Sequence, residues 1–519
     1  MNRSFFNNFF RRNKLLVLLF VLLCILFFSL RIPNLILQPI FADEAIYIRW
    51  AQVMKAEPTL RFLPLSDGKT PLFMWAMMPF LKVFEDPLFA GRFLSILAGF
   101  TTMLGVLALG WKFFDKRVGM WSAFLITIIP YTVFFDRMAL VDSTLAAFSV
   151  WSLFFVLLLV QYPRVDVAMF LGYFLGGGLL TKPPGFFNVL VLPFSLILFN
   201  WQDENRQNNL LRLFGLWVVA IIITFAIYNL LRLGPGFSGL SSRNQDYIFS
   251  PFDLAGRPLD PFIPHLRDLQ DWFPKLLTIP TLLLVFLGMV LAFIKKNRIA
   301  LVVLFWSLVP LLIQMAFLKT FTARYLLFSI PPLICLAGWA ITQLIHNIKL
   351  KTLTASLLFI MILLVPSLYF NFKLITNPES APLPRAERRG YLEDWTAGYG
   401  LKEIAQFLID ESSNGVVVVG TEGSFGTLPD GLQIYLDKHS HRVASDNQVL
   451  VIGGAATVSA ELRRSALDHQ TFFIANKTRY SQYESNLVLL KEYSKAKDGL
   501  ISPHDSILFF KVLPIREGK

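Results

Sequence analysis

Two adjacent carboxylates, Asp43 and Glu44, stand directly after an apolar run, in the segment FADEAIYIRWAQ. The next basic residue along the chain is Arg49. A carboxylate in such a place can act as a general base that takes the proton of a hydroxyl group. In the plainer alternative, Asp43 caps a helix spanning about 44–54 and Glu44 is favoured in its first turn by the helix dipole.

Other ionisable residues occupy the same kind of position, at the ends of apolar runs or in short connecting loops. They are Lys69, Arg92, Asp136, Arg137, Asp142, Lys182 and Arg324. Charges in or near a bilayer are costly, so such residues are candidates for function. Each also has a plainer explanation. Lys182 would extend from a helix end to the membrane surface, and Asp136 and Arg137 would form a local ion pair. For Arg92 we prefer the interpretation as an interfacial anchor.

Taken together, these side chains suit a reaction between a hydroxyl group and a sugar carried on a phosphorylated lipid. A sugar that leaves a polyprenyl phosphate develops oxocarbenium character, while negative charge grows on the phosphate. Lys and Arg side chains at the phosphate would stabilise that charge. Because the phosphate leaves without a general acid, one carboxylate suffices, as the base for the incoming hydroxyl. The two-carboxylate scheme of glycoside hydrolases fits this set of residues less well.

The composition indicates an integral membrane protein. Of the 519 residues, 55% are hydrophobic and 16% are charged, and the mean hydropathy is +0.56. The net charge is +13, but the bases stand in short clusters between apolar runs. That pattern is typical of orientation in a bilayer rather than of nucleic-acid binding. Cys24 and Cys335 lie inside apolar runs and predict neither a disulfide framework nor a metal site.

The apolar runs predict about eleven transmembrane helices, each of roughly 20 residues. They span about 15–37, 88–111, 118–135, 141–160, 167–181, 186–200, 213–232, 274–294, 299–318, 322–345 and 352–370. We interpret the first as an uncleaved anchor, because it is too long for a signal peptide and no small-residue cleavage site follows. The apolar segment 70–84 is short and is expected to lie at the interface, in a first outer loop of about 38–87.

The positive-inside rule orients these helices. With the N terminus inside, every inner loop carries bases: Arg11, Arg12 and Lys14; Lys112, Lys116 and Arg117; Arg164; Arg206 and Arg212; Lys295, Lys296 and Arg298; Lys349 and Lys351. This orientation places the acid pair outside. It predicts a membrane module at 1–370 and an extracytoplasmic α/β domain at 371–519, where strand-like and helix-like segments alternate.

Five segments, in this order, resemble the lipid-carrier-dependent glycosyltransferases of the GT-C superfamily. They are FADEAIY, DGKTPLFMW, DRMALVDS, LLTKPPG and ARYLLFSIPPL. The resemblance is to the bacterial branch related to protein O-mannosyltransferases and to the lipid A aminoarabinose transferase, and it covers roughly residues 1–370. It implies an inverting transfer of a sugar from a polyprenyl-phosphate donor to a hydroxyl acceptor on the exoplasmic face.

The resemblance also implies roles for the acidic residues. Asp43 would be the general base, and Glu44 beside it would orient the acceptor or the base. Asp142 would occupy the second acidic position of the family, after the third helix. Thr70 stands where the family has a proline after its lysine, which leaves that cation in place on a less rigid backbone.

The remaining implied site residues are cations and aromatic residues. The cations expected at the donor phosphate are Lys69, Lys182, Arg324 and Arg137. Trp395 and Tyr399, in a loop expected just above the membrane, are candidates for contact with the acceptor. An ordinary loop before a helix is the alternative for that segment.

The expected partners are a polyprenyl-phosphate-linked sugar, an acceptor that is a protein, a lipid or a glycan, and the bilayer, with no nucleic acid. The chain has six histidines, and none stands near the outer acids in the sequence. The acids could hold a divalent cation through oxygen, but we expect no metal or other cofactor to be required. The resemblance implies the bacterial plasma membrane.

A polytopic lipid or sugar transporter, or a flippase, is the alternative function. Transporters usually have broken helices, polar groups at mid-depth and inverted repeats. This sequence has few charges at mid-depth and no evident repeat, and its glycine run, Gly176–Gly178, is the one weak point inside a predicted helix. A receptor or scaffold built around the outer domain would leave the acid pair, Lys182 and Arg324 unexplained.

Overall fold

The computed structural model describes residues 14–257, 259–348, 353–440, 448–480, 486–497 and 504–514. A helical membrane module is followed by a domain with a central β-sheet, which confirms the predicted fold class. Four of the bases used to orient the chain, Arg11, Arg12, Lys349 and Lys351, lie outside the described residues.

The membrane module is built almost entirely of helices. Its α-helices are Lys14–Ser29, Ala42–Ala56, Leu72–Met77, Phe80–Val83, Pro87–Phe113, Lys116–Ile128, Pro130–Asp136, Val141–Gln161, Val165–Thr181, Phe186–Leu190, Arg206–Tyr228, Gly239–Tyr247, Pro251–Ala255, Phe262–Leu276, Ile279–Ile294, Arg298–Phe317, Ile330–Ile348 and Leu353–Thr376. Short 3-10 helices are Pro58–Leu60, Leu63–Asp67, Pro183–Gly185, Leu192–Leu198, Asn229–Leu233, Ala323–Ser329 and Pro378–Ser380.

Within the described residues, six helices are long and apolar enough to cross a membrane, or eight if each of two bent pairs forms one span. The six are Pro87–Phe113, Val141–Gln161, Arg206–Leu233, Arg298–Phe317, Ala323–His346 and Leu358–Thr376. Shorter apolar helices are Lys14–Ser29, Leu72–Val83, Val165–Thr181 and Pro183–Leu198. Every predicted apolar run is therefore helical in part, but several runs are interrupted.

Proline accounts for the interruptions, because it lacks the amide proton that a continuous helix needs. The run predicted at 118–135 bends by 59° where Pro130 begins a second helix. The run predicted at 186–200 divides into Phe186–Leu190 and a 3-10 helix that contains Pro193. The last membrane helix continues to Thr376, so the membrane module ends later than the expected residue 370.

The glycine run in the helix Val165–Thr181 is a packing feature. A Cβ on Gly177 would lie 2.3 Å from the ring of Phe148, and one on Gly176 would lie 2.9 Å from the side chain of Ile227. Small residues allow membrane helices to approach this closely. Close packing therefore accounts for these glycines without a transport function.

The domain predicted at 371–519, which we call the outer domain after its predicted location, contains a five-stranded mixed sheet. A short antiparallel pair, β1 (Ile40–Phe41) and β2 (Ala397–Gly398), precedes it. The sheet strands are β3 (Val417–Glu422), β4 (Val449–Gly454), β5 (Gln470–Asn476), β6 (Leu487–Ser494) and β7 (Ser506–Val512), in the order β4-β3-β5-β7-β6. Strands β4, β3 and β5 run parallel, whereas β7 is antiparallel to both β5 and β6.

Helices cover this sheet, namely Leu401–Ser412, Asp430–Ser440 and Ala460–Asp468, with the shorter Arg385–Arg388 in the preceding linker. The first of them buries Leu401, Ile404, Ala405 and Leu408, the spacing of one helix face. Phe472 on β5 and Phe509 on β7 stack beneath the sheet surface with ring centroids 5.5 Å apart.

The outer domain contacts the first loop directly. Strand β1 belongs to the loop that carries the acid pair, and β2 belongs to the linker that leads into the domain. Gln52 Nε2 donates to the carbonyl of Ile434 at 2.8 Å, and Arg49 pairs with Asp437 at 2.8 Å. The first loop and the domain are therefore in direct contact.

A buried lysine fixes the linker to the sheet, and its removal should destabilise the outer domain. Lys495 Nζ donates to Asp505 at 2.6 Å and to the carbonyl of Asp394 at 2.9 Å. We expect Lys495→Met to lower the free energy of unfolding by about 3 kcal/mol, because Asp505 stays buried without its cation and keeps only the hydrogen bonds from Thr478. Thermal unfolding and protease sensitivity of the purified protein measure the change.

The matched control is Lys477→Met, since Lys477 pairs with Glu492 at 2.9 Å on the exposed surface. That change should cost at most about 1 kcal/mol. Equal effects of the two substitutions would contradict the structural role given to Lys495.

Candidate active site

A cavity of about 650 Å³ opens where the membrane module meets the first loop. Its wall carries one carboxylate and four cations, which are Asp43, Lys69, Lys182, Arg243 and Arg324. The rest of the wall is largely apolar and aromatic, and includes Phe186, Phe187, Phe225 and Phe317. A ligand held there would combine a long apolar part with a negatively charged group.

Asp43 lies at the centre of the charged part of the wall. Its Oδ2 is 2.6 Å from Arg324 Nη1, and its Oδ1 is 3.5 Å from Lys69 Nζ. The helix Ala42–Ala56 has Phe41 at its N-cap position, so the alternative in which Asp43 caps a helix is wrong. The carboxylate instead faces two cations from distant parts of the chain.

These cations determine the ionisation of Asp43. Burial alone would raise the pKa of Asp43, but the charge of Arg324, then that of Lys69 and the hydrogen bond from Arg324, outweigh burial. The pKa of Asp43 is therefore well below its usual range. In the ligand-free protein Asp43 is ionised at neutral pH and is a weak base.

Asp142 and Lys182 form a second ion pair in the same region. Asp142 is in the first turn of the helix Val141–Gln161, and its Oδ1 accepts from Lys182 Nζ at 2.6 Å. Lys182 Nζ also lies 4.1 Å above the ring of Tyr325. Lys182 is mostly buried in the cavity wall, so the explanation that it extends to the membrane surface is wrong.

Lys69 is surrounded by aromatic rings as well as by acids. Its Nζ lies 5.1 Å from the ring of Tyr47, 5.5 Å from Trp50 and 5.9 Å from Phe425. Cations interact favourably with ring faces at such distances. Because Phe425 follows strand β3, the outer domain contributes directly to the surroundings of this lysine.

Arg324 is positioned by hydrogen bonds to the residue before it. The backbone N–H of Ala323 donates to Glu387 Oε1 at 2.9 Å, and the hydroxyl of Tyr131 donates to the carbonyl of Ala323 at 2.6 Å. Glu387 is buried, and the sequence analysis did not identify it. An acid in the short segment after the last membrane helix was the available signal.

Arg243 is a second residue that the sequence analysis missed. It lies on the helix Gly239–Tyr247, lines the cavity, and is 3.6 Å from Asp67, which in turn is 3.4 Å from Lys69. The available signal was a basic residue in a polar segment, 241–247, between two predicted spans on the outer side.

The structure does not bring Glu44 to the cavity, which corrects its expected role beside the base. Its side chain is fully buried and accepts from Arg92 at 2.7 and 2.8 Å. It also accepts from the backbone N–H groups of Phe41 at 3.0 Å and Ala139 at 2.7 Å. Arg92 is equally buried, so our interpretation of it as an interfacial anchor is wrong.

Arg137 is likewise directed away from the cavity, which corrects its assignment to the donor phosphate. Its guanidinium is buried and donates to the carbonyls of Arg31, Pro33 and Asn34 at 2.6, 2.9 and 3.0 Å. Asp136 pairs with Arg31 at 2.9 Å, so a local Asp136–Arg137 ion pair is also wrong. These residues hold the segment that follows the first helix.

The two aromatic acceptor candidates do not line the cavity. The hydroxyl of Tyr399 donates to Glu379 at 3.1 Å, and Arg479 lies 4.4 Å above the ring of Trp395. A Cβ on Gly426 would lie 3.7 Å from Trp395, so this ring packs beside the loop that carries Phe425. Any contribution of Trp395 to acceptor binding would therefore be indirect.

Glu387 should make the stability of the protein depend on pH, and this dependence can be measured. Burial raises its pKa from 4.5 to about 7, against the opposing effects of the Ala323 amide and of Arg324. Between these values the unfolded chain is deprotonated at this position while the folded protein keeps the proton. Stability should therefore fall as pH rises from about 4.5 to 7, by about 3 kcal/mol in total.

The Glu387→Gln variant should lack this component, because glutamine accepts the same hydrogen bond but does not ionise. The difference in thermal midpoint between variant and wild type, measured at pH 5, 6, 7 and 8, should shift in favour of the variant and level off above pH 7. A difference that stays constant over this range would contradict the raised pKa.

Known proteins resemble this chain in part of its sequence and in its fold. Residues 68–229 match the family model for dolichyl-phosphate-mannose-protein mannosyltransferase. Among curated protein sequences, none matches this chain. ArnT from Cupriavidus metallidurans in the apo state is similar in structure, with a TM-score of 0.57, 17% identity, and coverage of 96% of this chain and 98% of that chain.

Two further structures are similar. ArnT of the same organism bound to undecaprenyl phosphate has a TM-score of 0.55 at 16% identity, covering 96% of this chain and 98% of that chain. The archaeal oligosaccharyltransferase AglB from Archaeoglobus fulgidus, in complex with an inhibitory peptide and a dolichol-phosphate, has a TM-score of 0.51 at 12% identity. The match covers 90% of this chain and 70% of that chain. The chain thus has the GT-C glycosyltransferase fold, which confirms the resemblance seen in the sequence.

Proposed function

We propose that the protein is a membrane glycosyltransferase that moves a sugar from a polyprenyl-phosphate donor to a hydroxyl acceptor. The observation that carries this proposal is the position of Asp43, which faces Arg324 and Lys69 in the wall of a largely apolar cavity. The match to a mannosyltransferase family and the undecaprenyl phosphate bound to the similar ArnT support it.

The two parts of the cavity wall suit the two parts of such a donor. The apolar rings, among them Phe186 and Phe225, are partly exposed and would contact the polyprenyl chain. Lys69, Lys182 and Arg324 would bind the phosphate through charge-assisted hydrogen bonds. Arg243 would join these cations, because it lines the same cavity and shares the carboxylate of Asp67 with Lys69.

In the proposed reaction the acceptor oxygen attacks the anomeric carbon of the sugar, and the bond between that carbon and the phosphate oxygen breaks. The electron pair of the broken bond stays on the phosphate, where the cations stabilise it. Asp43 takes the proton of the acceptor hydroxyl, and attack opposite the leaving phosphate inverts the anomeric configuration.

Donor binding would activate the base. In the ligand-free protein, Arg324 and Lys69 hold the pKa of Asp43 well below its usual range. A bound phosphate competes for the same two cations and adds negative charge nearby, so it raises the pKa of Asp43. Asp43 would therefore become an effective base only when the donor is in place.

We propose that transfer needs no metal, since the cations already neutralise the phosphate. The parts of the chain that the structure describes contain no group of three His, Cys, Asp or Glu side chains placed to hold an ion. The acceptor in this proposal is a hydroxyl of a protein, a lipid or a cell-surface glycan. The proposed location is the bacterial plasma membrane, with the outer domain extracytoplasmic.

The test is to incubate the purified protein with undecaprenyl phosphate linked to radiolabelled mannose, glucose, galactose or arabinose, and to measure release of undecaprenyl phosphate. Release with transfer of label, unchanged by EDTA, supports a metal-independent transferase. No consumption of any donor, together with movement of the lipid across liposome membranes, would replace this proposal by the transporter alternative.

A further inference from the structure

Two neutral polar side chains in the cavity wall have no hydrogen-bond partner within the described parts of the chain. They are Thr70, through its hydroxyl oxygen, and Gln314, through both amide atoms. Thr70 is 3% exposed and Gln314 is 2% exposed, and both line the cavity that holds Asp43. Leaving such a group buried and unpaired costs about 1–3 kcal/mol, so each of them requires an explanation.

The two residues belong to different elements, and each is close in the chain to a cation of the site. Thr70 directly follows Lys69 in the first loop. Gln314 is in the last turn of the helix Arg298–Phe317, shortly before the segment that carries Arg324. Two separate parts of the chain therefore each bring an unpaired polar group to the cavity that Lys69 and Arg324 line.

The chemistry of the two side chains differs from that of the groups already assigned. Lys69, Lys182 and Arg324 are charged and suit a phosphate, whereas Asp43 suits the acceptor hydroxyl. A threonine hydroxyl and a glutamine amide are neutral and can each both donate and accept. The part of a polyprenyl-phosphate sugar that matches them is the set of neutral hydroxyls on the sugar ring.

We propose that Thr70 and Gln314 bind hydroxyl groups of the donor sugar and determine which sugar is transferred. This inference rests on the proposed function. In the loaded protein the sugar hydroxyls supply the hydrogen bonds that the cavity wall lacks. A site built in this way discriminates against a sugar without the matching hydroxyl, because the protein groups then stay buried and unpaired.

A third residue of the wall provides a matched control. Thr181 also lines the cavity and is 1% exposed, but its hydroxyl donates to the carbonyl of Gly177 in its own helix at 2.8 Å. Replacing Thr181 by valine removes a hydroxyl that is already paired. The same replacement at Thr70 removes a hydroxyl that has no partner within the described residues.

The experiment compares the full-length wild type with Thr70→Val, Gln314→Leu and Thr181→Val in detergent. For each protein the Kd of undecaprenyl phosphate is measured beside the Kd of undecaprenyl phosphate carrying mannose, glucose, galactose or arabinose. We expect wild type to prefer one sugar-bearing lipid. That preference should fall about fivefold to tenfold in Thr70→Val and in Gln314→Leu. The Kd of the sugar-free lipid should stay within about twofold of the wild-type value, and Thr181→Val should bind all probes like wild type.

A second measurement separates recognition from a structural role. Because Thr70→Val and Gln314→Leu remove unpaired buried polar atoms, the donor-free variants should unfold at the same temperature as wild type or higher. Lower unfolding temperatures together with equal weakening of sugar-free and sugar-bearing lipids would overturn the inference.

The failure of this inference can be distinguished from failure of the proposed function. If wild type binds sugar-free and sugar-bearing lipids equally well, or if both variants keep the wild-type preference, the assignment of Thr70 and Gln314 is wrong and the proposed function stands. If wild type binds no polyprenyl phosphate at all, the proposed function fails and this inference fails with it.

Discussion

Asp43→Asn should lower the rate of sugar transfer by about 10²–10⁴-fold, the usual contribution of a general base. Asparagine has nearly the same shape but cannot take the proton of the acceptor hydroxyl. Donor binding should persist, because the substitution leaves Arg324 and Lys69 in place and removes the carboxylate that competes with the phosphate for them. We therefore expect a Kd for the donor equal to the wild-type value or lower.

The chain offers a closely matched control in Asp67. Its carboxylate is 3.4 Å from Lys69 Nζ, almost the distance of Asp43 from the same atom, but it also pairs with Arg243, whereas Asp43 pairs with Arg324. Asp67→Asn changes the charge near Lys69 and leaves the base intact. Its effect on the rate should be less than about tenfold.

The measurement is single-turnover transfer of radiolabelled sugar, with donor affinity determined on the same preparations. Activity of Asp43→Asn within tenfold of wild type, in a folded protein that binds the donor, would show that another group takes the proton. A decrease of equal size in Asp67→Asn would show that the charge around Lys69, rather than a base, limits the reaction.

Much of the membrane architecture could be predicted from the sequence, because the length of an apolar run indicates a membrane helix and the basic loops indicate its orientation. The breaks within those runs were harder to place. Pro130 divides one run into two helices that meet at 59°, while Pro310 and Pro366 lie inside helices that continue through them. Whether a proline ends a helix depends on neighbouring helices, and a sequence does not specify them.

In the outer domain, too, only some of the strands and helices could be predicted from the sequence. The strands β3, β5 and β7 were visible as apolar runs because the sheet interior buries most of their side chains. Strand β4 was also visible as an apolar run, although only Val449 in it is buried. Strand β6, Leu487–Ser494, is largely exposed and carries lysine and glutamate, so it lacks that signal. The helix Asp430–Ser440 was missed for a related reason, since its apolar residues are confined to 432–436 and are followed by Asp437 and Lys438.

The candidate site was predicted in part, because charge type and sidedness can be deduced but orientation cannot. Asp43, Lys69, Lys182 and Arg324 all line the cavity, and Asp142 pairs with Lys182. Glu44 and Arg137 share the side and the charge types but are directed into the protein. Along a helix, neighbouring side chains such as Asp43 and Glu44 diverge by about 100°, and of these two only Asp43 lines the cavity.

Glu44 is directed into the protein, where it pairs with Arg92. The second large effect that we expect is therefore a loss of stability when this pair is broken. Arg92 donates to both oxygens of Glu44 and to the carbonyls of Leu35, Gln38 and Pro39, at distances of 2.7 to 3.1 Å. Arg92→Leu would leave all these acceptors buried without their donor. We expect a loss of unfolding free energy of at least 3–5 kcal/mol, seen as a lower thermal midpoint and a lower yield of monodisperse protein.

The control is Arg164→Leu, because Arg164 pairs with Asp166 at a similar distance, 2.7 Å, but at an exposed position. That substitution should change the unfolding free energy by at most about 1 kcal/mol. A thermal midpoint for Arg92→Leu equal to that of Arg164→Leu would contradict the structural role of the buried pair.

Combining Arg92→Leu with Glu44→Leu tests whether Glu44 takes part in the chemistry. The double variant removes both buried charges, so it should recover part of the stability lost in Arg92→Leu. Recovery should be incomplete, since the backbone N–H groups of Phe41 and Ala139 then lose their acceptor. If Glu44 only fixes the start of the helix that carries Asp43, the folded double variant should transfer sugar at a rate within about tenfold of wild type. A folded double variant that binds the donor but has lost transfer as completely as Asp43→Asn would instead restore Glu44 to the catalytic machinery.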